Sequence, residues 1–168
     1  MQNLFWIIGL SFLLQAQLRA AEDNSHLRGI HFLYMQIDES FDDEVTAMER
    51  LDLSDIMELQ LRRGKIDIRQ FIANRPELCI PVVELSIDTS RRLKTGQFDL
   101  VLKVRDKVMV NRNQRQAVAT TFELRRSGRA DSNEVATIKA ELRELMAQFV
   151  TIFREQNPLP QRKRDPRN

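Results

Sequence analysis

Val135, Ile138, Leu142, Leu145, Met146, Phe149, Ile152 and Phe153 recur at three- and four-residue steps, so on an α-helix they fall in one stripe. This pattern predicts a long amphipathic helix over 131–156. Asp131 followed three residues later by Glu134 reads as a capping-box start. Asn157-Pro158 reads as a stop, because proline disfavours a helical conformation in the residue before it. An apolar stripe of this length needs a surface to lie against, and the strand-like segments that precede it supply one.

Those segments follow a simple order. Residues 30–37 alternate Phe32 and Tyr34 with Leu33, Met35 and Ile37 and predict a strand. The acidic stretch 38–50 has little periodicity and reads as a loop with a helical turn. Leu53, Ile56, Met57 and Leu61 then share one helical face, and Asp52 and Asp55 stand where the helix dipole favours negative charge. Arg62-Arg63-Gly64 offers terminal cations followed by a left-handed cap at the glycine. Strand alternation resumes at Lys65-Ile66-Asp67-Ile68, so the first three elements form a strand–helix–strand unit with tight connections. After a connection ending near Pro76, three further strands are predicted at 79–88, 97–111 and 116–126. In the second, Phe98, Leu100, Leu102, Val104, Val108 and Val110 share a side; in the third, Val118, Thr120, Phe122 and Leu124 are in phase. The polar connectors 89–96 and 111–115 are short enough for hairpins. The order β-α-β-β-β-β-α predicts an α+β two-layer sandwich: a mostly antiparallel sheet with both helices on one face.

The start of the chain changes the picture by assigning a compartment. Leu4 to Leu14 is an apolar block too short to span a bilayer and of the length of a signal-peptide core, with a small-residue cut after Ala20. Residues 1–20 are therefore read as a signal peptide, 21–157 as one α+β domain and 158–168 as a disordered basic tail. The protein is expected to be periplasmic or secreted. Its one cysteine, Cys79, lies among Leu78, Ile80, Val82 and Val83 and reads as a buried small hydrophobe. No cysteine stands at the predicted cut to accept a lipid.

Charge is segregated beneath a formal net charge of +2. Between Asp38 and Glu58 nine acids face one base, whereas between Arg91 and Arg129 eleven bases face three acids. Lys103, Arg105 and Lys107 alternate with the apolar side of the long strand and so line its outward face, with Arg112 and Arg115 in the adjoining turn. These five residues form the candidate face for an anionic partner, either an envelope protein or an anionic lipid or lipopolysaccharide surface. Solvation of the sheet and protection of an edge strand would use the same residues. Nucleic acid does not suit an exported chain.

No motif commits the chain to catalysis. His26 and His31 lack the spacing of a helical zinc pair, and Asp42-Asp43-Glu44 lacks the alternating acids and central glycine of a calcium loop. A Gly-rich phosphate loop, a nucleophile elbow and a Cys-His constellation are all missing from the sequence. No catalytic residue, metal or cofactor is assigned, although clustered carboxylates would leave room for a hydrolase.

The early helix ending Leu-Arg-Arg-Gly-Lys-Ile, the run of strands, and the closing helix ending Phe-Arg-Glu-Gln-Asn-Pro resemble a group of small exported bacterial α+β proteins. The same layout is similar to the lipopolysaccharide-assembly lipoprotein and to the N-terminal domain of the Tol-system periplasmic protein. The resemblance implies a non-catalytic accessory or interaction domain of the cell envelope, with binding of a small apolar or anionic lipid-like ligand as the alternative.

Overall fold

The computed structural model describes residues 26–38, 47–89, 97–129 and 134–159. The chain runs β1 (Phe32–Ile37), α1 (Ala47–Arg63), β2 (Asp67–Arg69), a single 3-10 turn (Pro76–Leu78), β3 (Val82–Thr89), β4 (Gln97–Val110), β5 (Arg115–Arg129) and α2 (Glu134–Gln156). The fold is α+β, in the expected order. The signal-peptide segment, the Asp42-Asp43-Glu44 run, the Asp131 start of the long helix and the tail beyond Leu159 lie outside the described residues.

One five-stranded sheet carries the order β2-β1-β3-β4-β5. β1 pairs in parallel with β2 and β3, while the two long ladders, β3 with β4 and β4 with β5, are antiparallel. Strand register sets Met35, Val83, Val104 and Phe122 in one row and Ile37, Leu85, Leu102 and Leu124 in the next, all on one face. Leu53, Met57 and Leu61 of α1 and Ile138, Leu142, Leu145, Met146, Phe149 and Phe153 of α2 join that face in a single core. Both helices therefore cover the same side of the sheet. Phe149 sits between Phe122 and Phe153, at ring-centroid distances of 5.8 and 5.9 Å.

Side chains at the end of α2 tie three chain segments together. Asn157 accepts a 2.8 Å hydrogen bond from the Gly29 amide and donates to the Leu27 and Phe153 carbonyls at 2.8 and 3.2 Å. Arg154 donates to the Gly64 carbonyl at 2.5 Å and to the Asn157 carbonyl at 3.2 Å. Burial pulls its guanidinium below the ordinary arginine value, and these two acceptors offset that desolvation.

Several local expectations need correction. α1 begins at Ala47, inside the stretch read as a loop, because the apolar stripe that marks it in sequence starts only at Leu53. The left-handed residue after α1 is Lys65 (φ 58°), not Gly64. β3 begins at Val82 instead of Cys79; the preceding Ile80–Pro81 bond is cis, and Pro81 has no amide hydrogen to contribute to a ladder. Cys79 is buried, as expected, but in the connector, where its sulfur accepts from the Ile72 amide at 3.2 Å.

The phase of the third long strand also changes. Val104 pairs with Phe122 but Arg105 pairs with Thr120, so Thr121 is an extra residue, a β-bulge. Phe122 and Leu124 face the core, whereas Thr120 and Val118 lie opposite Arg105 and Lys107 and belong to the other face. The Thr121 hydroxyl donates to the Val104 carbonyl at 3.3 Å, satisfying an acceptor where the ladder is interrupted.

Candidate interaction surface on the β4–β5 hairpin

The last residue of β4 paired to β3 is Arg105, opposite Val82. Beyond it, among the described residues, 106–110 of β4 pair only with 115–119 of β5. Five residues of strand project about 17 Å, so the hairpin continues past the sheet as a two-stranded ribbon of about that length. The turn is closed by amides of Asn113 and Gln114 donating to the Val110 carbonyl, at 3.2 and 2.8 Å, with Gln114 left-handed at φ 54°. The Arg115 amide donates to Asn113 Oδ1 at 3.1 Å. The ribbon is thus defined by its own turn chemistry.

The five sequence-selected cations do not form one compact patch. Lys103, Arg105 and Lys107 share the outward face of β4, as their spacing predicts, but their neighbours differ. Lys103 lies between Glu84 and Glu123 in the cross-strand register. Arg105 forms an ion pair with Glu84 at 3.0 Å, and Glu84 is only 8 % exposed. Arg105 therefore balances an acid of the sheet itself, and Lys103 stands opposite two acids in the register. Lys107 lies beyond that balance, opposite Val118; Arg112 is exposed in the turn, and Arg115 stands opposite Val110 on the other face. Among the described residues, no ion pair engages Lys107, Arg112 or Arg115.

Apolar side chains accompany these cations. Met109 and Val118 are 51 % and 45 % exposed, on the same ribbon face as Lys107. Sequence periodicity did not place either residue on this face: Met109 falls between the apolar positions of β4, and Val118 was read as in phase with Phe122. Only the bulge shows that Val118 shares the face of Lys107. The balancing role of Glu84 and Glu123 was equally hidden, since it depends on register between three strands.

A second surface feature lies at the other end of the hairpin. An open cleft of about 450 Å³ is lined by Asp88, Gln97, Phe98, Asp99, Ser127, Gly128 and Arg129. Asp88 and Asp99 are cross-strand partners, and Ser127 donates a hydrogen bond to Asp99. Among the described residues, no group of three or more potential metal-ligating side chains comes together, and no helix is long and apolar enough to cross a membrane.

No family model matches the sequence, and no curated protein matches it. Solved structures with a similar course include rare lipoprotein B from Shewanella oneidensis, at 14 % identity and a TM-score of 0.29, covering 74 % of this chain and 92 % of that one. The PelC dodecamer from Paraburkholderia phytofirmans has 14 % identity and a TM-score of 0.37, covering 72 % and 86 % of the two chains. A minor lipoprotein from Acinetobacter baumannii has 16 % identity and a TM-score of 0.27, covering 79 % and 96 %.

Proposed function

We propose that this chain is a non-catalytic accessory domain of the bacterial cell envelope that docks an anionic partner on its β4–β5 hairpin. The observation that carries this reading is the ribbon at 106–119, where Lys107 shares a face with exposed Met109 and Val118, Arg112 stands in the turn and Arg115 on the other face. Unpaired cations supply attraction over about 8 Å at physiological salt, and adjacent apolar side chains gain from burial on contact. The signal-peptide pattern of residues 4–20 supports export of the domain, to the periplasm or beyond. The cleft beside Asp88 and Asp99 is a poor match for an anionic ligand, because its lining includes two carboxylates.

Crosslinking in the native host, followed by mass spectrometry, tests the reading. The wild-type chain should yield an envelope partner crosslinked through residues 105–119. Reversing Lys107, Arg112 and Arg115 to glutamate should reduce its recovery at least ten-fold, and raised salt should have the same direction of effect. Undiminished recovery from a folded triple variant would refute docking on the ribbon.

A further inference from the structure

β5 is the outermost strand of the sheet, and among the described residues no strand pairs with its outer edge. It is fifteen residues long and contains no proline, whereas the opposite edge strand, β2, has three residues. An edge of this length presents unpaired amides and carbonyls to a strand laid beside it. The bulge at Thr121 interrupts the extended run, and residues 122–129 beyond it lie where β4 is backed by β3.

Two copies meeting edge to edge about a two-fold axis pair this stretch antiparallel, and residues directly opposite one another then share a face of the sheet. Phe122, Leu124 and Arg126 lie on the helix side; Glu123, Arg125 and Ser127 lie on the open side. The axis must therefore pass through one residue, which meets its own copy. An axis at Glu123 sets two glutamates opposite each other, an axis at Arg125 or Arg126 sets two arginines, and an axis at Ser127 sets Arg125 opposite Arg129. Like charges directly opposite are destabilising. An axis at Phe122 carries the pairing into the bulge and gives Arg125 no acid.

An axis at Leu124 has none of these faults. It sets Glu123 of each copy opposite Arg125 of the other and brings the two Leu124 side chains together. Leu124 is half-buried at the margin of the core, so its remaining surface is apolar area that such a contact covers. Glu123 and Arg125 are both exposed and stand 3.8 Å apart within one chain. Across β4, Arg125 faces Val101 and meets no acid. Arg126 is held by Glu141 of α2 and falls opposite Phe122 of the second copy.

We propose that two copies of this chain pair antiparallel through residues 122–126 of β5, with the two-fold axis at Leu124, joining their sheets into one. The paired stretch is about 17 Å long. The bulge bounds it at both ends, because Ser127 of each copy falls opposite Thr121 of the other. Backbone hydrogen bonds supply the affinity, and the two crossed Glu123–Arg125 pairs select the register. The ribbon at 106–119 takes no part, so failure of this pairing leaves the docking reading intact.

The test is sedimentation equilibrium on the protein purified from its native host. Wild type should form a dimer, and alternate amides of 122–126 should exchange more slowly as its concentration rises. Glu123→Arg and Arg125→Glu should each weaken self-association by about ten-fold or more, because both crossed pairs become like-charged. Arg125→Glu also lowers the formal net charge of +2, so general repulsion between copies predicts the opposite sign. An equimolar mixture of the two single variants should form a heterodimer. The double exchange Glu123→Arg/Arg125→Glu should recover the wild-type constant to within about three-fold. A wild-type chain that stays monomeric at about 1 mM would overturn the proposal. So would a dimer that Arg125→Glu leaves as strong as wild type, or a mixture of single variants that yields no heterodimer.

Discussion

A Cβ placed on residue 64 would lie 2.5 Å from Val150 Cγ1 and 3.3 Å from the Leu61 carbonyl. Gly64 is therefore needed for the close approach of α1 to α2, while its neighbour Lys65 occupies the left-handed conformation. The two positions should respond in opposite ways. Gly64→Ala forces Val150, a stiff β-branched side chain, to move and should cost about 1–3 kcal/mol. Lys65→Gly removes the steric cost of left-handed backbone and should be neutral or stabilising by up to about 1 kcal/mol. Urea unfolding midpoints of the two variants check both signs. The sequence pattern Arg-Arg-Gly correctly marked the end of α1, but glycine answers two different needs and the sequence does not say which.

At the scale of elements, α2 was the most legible part of the chain and its apolar stripe is the buried face. Its lower end depends on contacts that are remote in sequence. Asn157 satisfies Leu27 and Gly29 as well as its own helix, so it holds the entry to β1 against the exit from α2. Asn157→Ala should lower stability by about 1–3 kcal/mol, because partly buried partners lose their hydrogen bonds, and should speed exchange of the Gly29 amide. Denaturant unfolding combined with exchange of that one amide separates this effect from general loosening. Pro158 made the stop visible in sequence; the clip to Gly29 required the fold. The β4–β5 hairpin shows the same division. Its turn residues and alternation were readable, yet one inserted residue at Thr121 reversed the faces of Val118 and Thr120. A strand has period two, so a single bulge inverts every side chain beyond it.

For the whole molecule, stability is uneven by construction. The main sheet is covered by two helices over one apolar face, while the ribbon at 106–119 has two strands and, among the described residues, no third. Two-stranded ribbons are marginal in water, so amides of 106–119 should exchange faster than those of 98–104 on the same β4 strand. Partner docking should slow them, and the Lys107, Arg112 and Arg115 reversal should prevent that slowing without altering exchange in 98–104. The charge reversal therefore reads a docking effect apart from folding.

The sequence alone determined the α+β class, the order of elements, the amphipathic closing helix and the outward alternation of Lys103, Arg105 and Lys107. These follow from local periodicity, which acts over one helix turn or two strand residues and is written directly in the chain. The tertiary structure decided which of the five cations stand against acids of the sheet and which extend beyond them on the ribbon. That outcome depends on the register of Glu84, Lys103 and Glu123, on the bulge at Thr121, and on how far β4 and β5 outrun β3. Each is a relation between strands distant in sequence, set by the shared burial of one sheet face rather than by any local pattern.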